Sequence, residues 1–295
     1  MGFFDRFFHP NTTNEPFVDS PMRDNWYQAS SYWPSSFALI TTVDAEGNTN
    51  IGPYQLTFPF EVIGGRSFIV CSRQNSNTET NIHQVKKCAL NFVEFDKSWI
   101  KKIVRLGYPG QTTLEKMEDN PFTLIDSPTD GRAEDPLFPK ILKEAFQVYE
   151  CTLDSEQSIR DDGKTPEYMV LRIENTLLKK TWQENIENGT TRMPRMPIAY
   201  GFRDGHKFWF AEHKKPFWVP TPTDKGPKEE SVLYEANRLE PDSVQFTRAA
   251  CKQLTGVPKP FIKTVLKGII KQAKADGVAL VDEDYVKKIN DERNS

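Results

Sequence analysis

The chain has 295 residues, of which 38 are basic and 41 acidic, so its formal net charge is −3. This balance lacks the basic surplus of nucleic-acid-binding domains, and we expect no nucleic-acid partner. Hydrophobic residues make up 37% and charged residues 27% of the chain, which excludes a disordered chain and predicts a soluble globular protein.

Residues 1–31 form an N-terminal extension that precedes the first predicted strand. The extension starts with MGFFDRFFHP, where Asp5 and Arg6 interrupt the phenylalanines. The apolar run is therefore too short to export or anchor the chain. We expect a cytoplasmic protein that makes no contact with a membrane.

Residues 32–218 predict a barrel domain, because short apolar segments alternate with turns. The predicted strands are 33–43, 49–58, 60–63, 67–71, 88–95, 145–153, 168–174, 177–182, 198–202 and 207–210. Gly52 and Pro53 interrupt the second strand, and since proline cannot donate to a sheet ladder, we predict a bulge or an edge there.

Two segments of the barrel region predict helices. Residues 78–87 have apolar side chains at helical spacing, and Asn77 or Thr78 is the expected cap. Residues 97–140 are rich in Pro, Gly and Asp and predict a helical insertion that can act as a lid.

The C-terminal part predicts a linker, 219–240, followed by a small all-helical module, 241–295. Its main helix begins near Pro258 and ends near Gly277, and Asp282 caps a last short helix. Residues 248–289 resemble the C-terminal module of some light-independent protochlorophyllide reductase subunits. This leaves two alternatives, a plain helical cap on the barrel and a docking module for a redox partner.

The polar stretch SRQNSNTETNI, which begins at Ser72, has the composition of a phosphate-binding loop. A loop between a strand and a helix offers an anion backbone N–H groups and the positive end of the helix dipole. Arg73 adds a forked contact, and Ser76 and Thr78 add hydroxyls. A solvated capping loop in which Arg73 pairs with Glu79 has the same composition, so the stretch alone leaves both interpretations open.

Two motifs resemble the flavin reductase-like, FMN-binding split-barrel family. The stretch FALITTVDAEGNTNIGPYQLTF at 37–58 contains a Thr-Thr pair, a glycine turn and an N-x-x-P-Y sequence. The stretch NTETNI resembles the family's Asp-Thr-x-x-Asn-Ile loop, with Asn77 in place of Asp. The segments 138–151, 168–174 and 200–209 resemble later strands and the closing hairpin, so the resemblance covers roughly residues 32–217.

The resemblance implies a mainly β fold with α-helices, namely an antiparallel split β-barrel that binds FMN, with a helical insertion and a C-terminal helical module. It also implies a homodimer and an oxidoreductase that transfers a hydride from NADH or NADPH to the flavin. No catalytic side chain is implied, since the flavin carries the chemistry. The implied FMN-binding residues are Tyr54, Gln55, Leu56, Thr57, Ser72, Arg73, Ser76, Thr78 and Asn81.

One departure from the family leaves the reaction open. Some members have a histidine before the closing hairpin, where this chain has Arg195. Two alternatives to a reductase therefore stay open. One is a non-catalytic flavin-binding or electron-carrier protein, and the other is a flavin-dependent oxygenase whose substrate lies under the insertion.

The cysteines and histidines predict no metal site. The sequence has no HxxxH or HxH pattern, and His83 in the predicted helix is interpreted as structural. The cysteines lack a CxxC pair, which excludes a zinc knuckle and a disulfide scaffold and predicts reduced thiols. They are Cys71, Cys88, Cys151 and Cys251.

Overall fold

The computed structural model describes residues 12–62, 65–159, 167–203, 207–213, 215–220, 228–239 and 243–294. The chain divides into two compact units. The barrel unit consists of Met1–Phe58 and Phe68–Pro216, and the C-terminal unit consists of Pro59–Ser67 and Phe217–Ser295. The domain boundaries expected from the sequence did not include the short segment Pro59–Ser67 in the C-terminal part.

The strands between residues 38 and 212 are β1 (Ala38–Val43), β2 (Thr49–Tyr54), β3 (Thr57–Pro59), β4 (Ser67–Ser72), β5 (Lys87–Val93), β6 (Leu124–Ile125), β7 (Ile141–Leu142), β8 (Ala145–Ile159), β9 (Glu167–Leu178), β10 (Pro197–Arg203) and β11 (Lys207–Glu212). Seven of them form one sheet in the order β2-β1-β5-β8-β9-β4-β3. The pairs β1–β2, β1–β5, β5–β8 and β8–β9 are antiparallel. Strands β10 and β11 form a separate antiparallel hairpin, and β6 pairs with β7.

The helices of the same region are α1 (Trp26–Ala29), α2 (Asn77–Val85), α3 (Lys97–Leu106), α4 (Thr113–Met117) and α5 (Lys180–Glu187). The predicted strand 177–182 is wrong beyond Leu178, because Lys180 begins helix α5. The helix lets Trp182 reach Phe146, with the two ring centroids 6.2 Å apart in an edge-to-face arrangement.

Strand β1 is buried along its whole length, because its side chains alternate between two apolar clusters. Leu39 belongs to the cluster that includes Ile103 and Leu106 of α3. Ile40 belongs to the cluster that includes Ile82 of α2. Strand β1 therefore packs against α2 and α3, two of the helices that reach the cleft described below.

Helix α2 begins one residue earlier than the sequence indicated. Its cap is Ser76 rather than Asn77 or Thr78, and the Ser76 hydroxyl accepts a hydrogen bond of 3.1 Å from the backbone N–H of Glu79. Lys86, at φ 61°, ends the helix in the left-handed region. An N-cap of this kind typically stabilises a helix by about 1 kcal/mol.

The insertion predicted at 97–140 contains α3 and α4. Asp96 caps α3 by accepting a 2.8 Å hydrogen bond from the backbone N–H of Ser98. Helix α4 opens with a capping box in which Thr112 and Glu115 each bond the other's backbone N–H. The insertion thus has defined helices that pack on the sheet.

The C-terminal unit contains helices α6 (Lys228–Leu239), α7 (Arg248–Gln253), α8 (Lys259–Ala275) and α9 (Glu283–Asn294) and strands β12 (Gln245–Phe246) and β13 (Leu280–Val281). Its core is apolar and is formed by Val232, Ala236, Val244, Phe246, Ala250, Cys251, Leu254, Leu266, Ile269, Ile270, Ala273, Val281, Val286 and Ile289. Helix α6 lies inside the range expected as a linker, since Val232 and Ala236 give it a buried face.

Two further features of this unit bear on the sequence analysis. Strands β12 and β13 pair in parallel, so the expectation of an all-helical module is wrong. The predicted caps are confirmed, because Gly277 has φ 70° just after α8 and Asp282 accepts a 2.9 Å hydrogen bond from the backbone N–H of Tyr285. Among the described residues, no helix combines the length and apolar character needed to cross a membrane.

Candidate functional site

A polar cleft of about 380 Å³ opens where the chain passes from β4 into α2, and we call it the polar compartment. Its side chains come from β2, from the loop and first turn of α2, and from the insertion. The lining residues are Gly52, Pro53, Tyr54, Arg73, Asn75, Ser76, Asn77, Thr78, Leu106, Gly107, Tyr108, Pro109, Gly110, Gln111 and Lys116. Four predicted site residues, Tyr54, Arg73, Ser76 and Thr78, therefore meet in one cleft.

Three hydroxyls form a connected hydrogen-bond network at the base of this compartment. The Tyr54 hydroxyl lies 3.0 Å from Ser72 Oγ and 2.9 Å from Ser76 Oγ, and the two serine oxygens are 3.2 Å apart. Ser72 Oγ also donates a 3.1 Å hydrogen bond to the backbone oxygen of Arg73. Ser72 itself is buried and does not line the cleft, so it positions Tyr54 and the loop.

The floor of the polar compartment requires a residue without a side chain at position 52. A Cβ atom on Gly52 would lie 2.3 Å from Thr78 Oγ1 and 2.9 Å from Cε2 of Tyr54. Thr78 is buried, and its hydroxyl accepts a 3.1 Å hydrogen bond from the Asn50 side-chain amide. The sequence predicted a bulge or edge at Gly52–Pro53. The edge is confirmed, because β2 is an outer strand of the seven-stranded sheet. No bulge interrupts its pairing with β1, since Gly52 and Pro53 lie opposite Ile40 and Leu39 in a continuous register.

Two cations lie at the polar compartment. Arg73 is exposed, and Lys116 of α4 is partly buried and donates a 3.2 Å hydrogen bond to Asn50 Oδ1. Burial, together with the positive charge of Arg73, lowers the pKa of Lys116 from 10.5 to about 8. In the described part of the chain neither cation forms an ion pair with a carboxylate, so the pairing of Arg73 with Glu79 is not found. The cleft is therefore electrostatically suited to an anion.

A second cleft, of about 430 Å³, adjoins the first, and we call it the apolar compartment. One wall comes from aromatic side chains before β1 and on the β10–β11 hairpin. The lining residues are Gln28, Phe37, Pro53, Gln55, Arg73, Ile103, Val104, Gly107, Tyr108, Pro109, Ala199, Gly201, Phe202, Phe208 and Phe210. The centroids of Phe202 and Phe208 are 5.0 Å apart, and Phe208 stacks on Phe210 with centroids 6.4 Å apart.

Gln55, another predicted site residue, holds the hairpin against the end of β2. Its side-chain amide donates hydrogen bonds of 2.9 Å to the backbone oxygen of Ala199 and 3.1 Å to that of Trp33. Its Oε1 accepts a 3.1 Å hydrogen bond from the Gln28 side chain. All of its polar atoms are thus engaged with the protein, and Gln55 fixes the wall of the apolar compartment.

Besides Ser72, three predicted site residues lie outside both compartments. The backbone oxygen of Leu56 accepts a 2.9 Å hydrogen bond from the N–H of Cys71, and the Thr57 hydroxyl donates to the Tyr54 backbone oxygen at 3.2 Å. Asn81 is buried and donates a 3.0 Å hydrogen bond to Thr42 Oγ1 on β1. These residues brace the site from behind.

Arg195, which stands where some split-barrel reductases have histidine, lies near the start of the β10–β11 hairpin. Its Nε donates a 2.7 Å hydrogen bond to Glu212 Oε1. The two side chains form an ion pair that joins the two strands, and Arg195 lines neither compartment.

The sequence analysis missed Lys116, the turn Gly107–Pro109 and the phenylalanines of the apolar wall. Lys116 follows a capping box, which marks the start of a helix but not the direction of its side chain. The phenylalanines alternate on β11, and that pattern predicted a strand without showing what its face would line. Only the fold brings these residues to the polar loop.

Comparisons with solved structures identify the fold. A 2-nitrobenzoate 2-nitroreductase from Pseudomonas fluorescens is similar with a TM-score of 0.56 and 18% identity, over 72% of this chain and 99% of the other. A split-barrel protein from Shewanella frigidimarina, described as a flavin reductase, has a TM-score of 0.50 and 15% identity, over 64% and 87% of the two chains. An FMN-binding protein from Thermus thermophilus has a TM-score of 0.50 and 13% identity, over 70% and 99%.

These similarities confirm the fold predicted from the sequence, an antiparallel split barrel with added helices at the C-terminus. At such low identity they establish the fold alone. No family model and no curated protein sequence matches the chain.

Proposed function

We propose that this protein binds FMN in the groove formed by the two compartments and acts as a flavin-dependent oxidoreductase of the flavin reductase type, with NADH or NADPH as the hydride source. The observation that carries the proposal is the continuity of the groove. Five residues, Pro53, Arg73, Gly107, Tyr108 and Pro109, line both compartments. A suitable ligand therefore has an anionic group at one end and a flat apolar body at the other.

The residues of the polar compartment fit a phosphate monoester. Arg73 and Lys116 supply positive charge, and Ser76 and Thr78 supply hydroxyls beside the backbone N–H groups that begin α2. Burial, and after it the positive charge of Arg73, lowers the pKa of Lys116, and a bound phosphate would stabilise the charged form of the lysine against both effects. Gly52 keeps the floor open where any larger residue would meet Thr78.

The residues of the apolar compartment fit an aromatic ring system. Phe202, Phe208 and Phe210 supply a wall of aromatic faces and edges, and Pro53 lies at the boundary with the polar compartment. Because Gln55 ties this wall to the end of β2, the wall is held in place before a ligand arrives. Bound FMN would supply hydride and electron transfer, and the protein supplies binding, orientation and exclusion of water.

The names of the structural neighbours agree with this assignment. They include a nitroreductase, a protein described as a flavin reductase and a protein that binds FMN. The groove supports the same assignment independently, since its polar and apolar ends were identified from this chain's own residues.

A homodimer is part of the proposal. Large aromatic side chains near the groove are exposed, with Trp209 of β11 54% exposed, Trp33 47% and Tyr32 81%. Exposed aromatic clusters of this kind are typical of protein interfaces. Light scattering coupled to size-exclusion chromatography tests this part, and a monomer at micromolar concentration would contradict it.

The test of function starts from protein reconstituted with FMN and freed of excess flavin. We expect one FMN per chain, and we expect NADH or NADPH to bleach the visible flavin absorbance under anaerobic conditions within the time of a turnover. Reduction by dithionite alone would contradict the reductase and favour an electron carrier. Failure to retain any flavin would contradict the whole assignment.

A test variant for the site is Gly52→Ala, which places a methyl group 2.3 Å from Thr78 Oγ1, and its matched control is Gly256→Ala. Overpacking of this kind costs about 1–3 kcal/mol, which is roughly 5- to 150-fold in affinity if it falls on the ligand-bound state. Gly256→Ala, in the C-terminal unit and with open space around its Cβ, should retain FMN as the unaltered chain does.

A further inference from the structure

A second cluster of polar side chains lies on α2 and β9, and none of its members lines the groove. It consists of Glu79, His83 and Glu167, whose nearest ligand atoms all lie within 4.8 Å of one another. Glu79 and His83 are four residues apart on one helix, a spacing that puts both side chains on the same face. Glu167 is the first residue of β9.

The buried carboxylate of Glu167 is the unusual member of the cluster. Its side chain is fully buried, and one oxygen contacts His83 Nε2 directly. The other oxygen, Oε2, is buried and has no hydrogen-bond partner in the described part of the chain. A buried carboxylate oxygen without a partner is costly, and such an atom at a cluster of metal-ligating groups points to a missing cation.

Hydrogen bonds from neighbouring groups orient the Glu79 carboxylate toward His83. Its Oε2 accepts hydrogen bonds of 3.0 Å from the backbone N–H of Asn75 and 3.3 Å from the Thr80 hydroxyl. Its Oε1 faces His83 Nε2 at 3.7 Å. Carboxylates that ligate metals are commonly hydrogen-bonded by neighbouring groups in this way.

We propose that Glu79, His83 and Glu167 form a binding site for a divalent transition-metal ion of the zinc type, which would fasten α2 to β9. One imidazole and two carboxylates are a donor set that zinc accepts, with bonds of about 2.0–2.2 Å and ligand atoms roughly 3.3–3.6 Å apart in a tetrahedral site. The separations within the cluster differ from this by about 1 Å or a little more, so side-chain rotation suffices.

The proposal departs from the sequence analysis, which predicted no metal site because it looked for paired histidines. The donor set here has one histidine, and its third ligand lies 84 residues further along the chain. It is also independent of the flavin proposal, because none of the three residues lines the groove.

The test uses tag-free protein treated with EDTA and then dialysed free of chelator. Isothermal titration with zinc chloride should show saturable binding of one zinc per chain, and the unfolding temperature should rise with added zinc. In Glu167→Gln and in His83→Gln the affinity should fall by about tenfold or more, since each variant removes a ligand. Glu174→Gln, on the same strand outside the cluster, should bind zinc as tightly as the unaltered chain.

The opposite results would overturn the proposal. They are the absence of saturable zinc binding, or equal affinity in Glu167→Gln, His83→Gln and Glu174→Gln. An unfolding temperature that zinc leaves unchanged would mean that a shared proton, not a metal, holds the cluster together. If Glu167→Gln does not fold, as circular dichroism would show, the partly exposed His83→Gln decides alone.

Discussion

The polar compartment takes its loop hydroxyls and one of its two cations from one short stretch of chain, whereas the aromatic wall of the apolar compartment comes from distant ones. Arg73, Ser76 and Thr78 occupy one loop and helix turn, and hydrogen bonds hold the hydroxyls of Ser76 and Thr78 in place. Phe37 and Phe210 are far apart in sequence and meet only through packing, with ring centroids 6.0 Å apart. The first compartment should therefore respond to charge and hydrogen bonding, and the second to the area and shape of its side chains.

The largest effect is expected for Arg73→Ala combined with Thr78→Ala. Hydrogen bonds to a charged group contribute about 1.5–3 kcal/mol each, so FMN affinity should fall by roughly a hundredfold or more. Flavin absorbance after desalting measures the retained cofactor, and circular dichroism checks that the fold is intact. Unchanged occupancy would remove the phosphate from this compartment. The control double variant, Arg238→Ala with Thr264→Ala, changes exposed residues of the C-terminal unit and should have no effect.

Lys116→Met gives the sharpest test of whether the two compartments bind different parts of the flavin. FMN affinity should fall by roughly ten- to a hundredfold, while riboflavin, which lacks the phosphate, should bind as before. The same variant should raise the unfolding temperature of the flavin-free protein, because it removes a desolvated charge beside Arg73. Equal losses for FMN and riboflavin in fluorescence titrations would contradict the division. Lys102→Met, an exposed lysine on α3, is the matched control.

The pH dependence of FMN binding provides a third test. The pKa of Lys116 is about 8, so the lysine is charged below pH 8 and neutral above it in the flavin-free protein. A phosphate favours the charged form, and FMN affinity should be level from pH 7 to 8 and then fall by up to about tenfold per pH unit. Lys116→Arg should flatten this profile, since arginine stays charged. A level profile in the unaltered chain would show that Lys116 does not meet the anion.

The lowered pKa of Lys116 also determines how the stability of the flavin-free protein changes with pH. The folded-state pKa of Lys116 lies below its ordinary value of 10.5, so between pH 8 and 10.5 the unfolded chain binds more protons than the folded chain. The Lys116 contribution therefore makes the flavin-free protein more stable as pH rises through that window. Comparing chemical denaturation of the unaltered chain and Lys116→Met isolates this contribution.

The smallest effect is expected for Phe208→Ala. An aromatic pair contributes about 0.5–1.5 kcal/mol, so FMN and riboflavin should both bind roughly two- to tenfold more weakly and by equal factors. A loss confined to FMN would mean that the aromatic wall contacts the phosphate end. Phe261→Ala, an exposed phenylalanine of the C-terminal unit, should change neither affinity.

The difference between the compartments also explains what could be predicted from the sequence. Ser76 and Thr78 follow an apolar strand and begin a helix, a local pattern that fixes where their donors point. Lys116 and Phe208 depend on tertiary packing, and no local pattern ties either one to the loop. Asn81 belongs to the same polar stretch, but its position on the helix turns its side chain toward Thr42. The composition of the stretch therefore predicted a site residue that does not line the cleft.

The fold was easier to predict than the site, because β1 and β5 are mostly apolar and the turns beside them are marked by glycine or by polar residues. The errors lie where a local preference competes with packing. The strand predicted at 177–182 stops at Leu178, because helix α5 packs Trp182 on Phe146. The segment predicted as a linker contains a helix, because Val232 is buried in the core of the C-terminal unit.

Gly107, at the end of α3, rests on the ring of Pro53. A Cβ atom at position 107 would lie 3.1 Å from Pro53 Cγ, closer than the two side chains tolerate without movement. Positions 53 and 107 therefore constrain each other: a side chain at 107 is accommodated only if the pyrrolidine ring at 53 shifts by a few tenths of an ångström or is replaced. Related sequences, once aligned, should show the two substitutions arriving together.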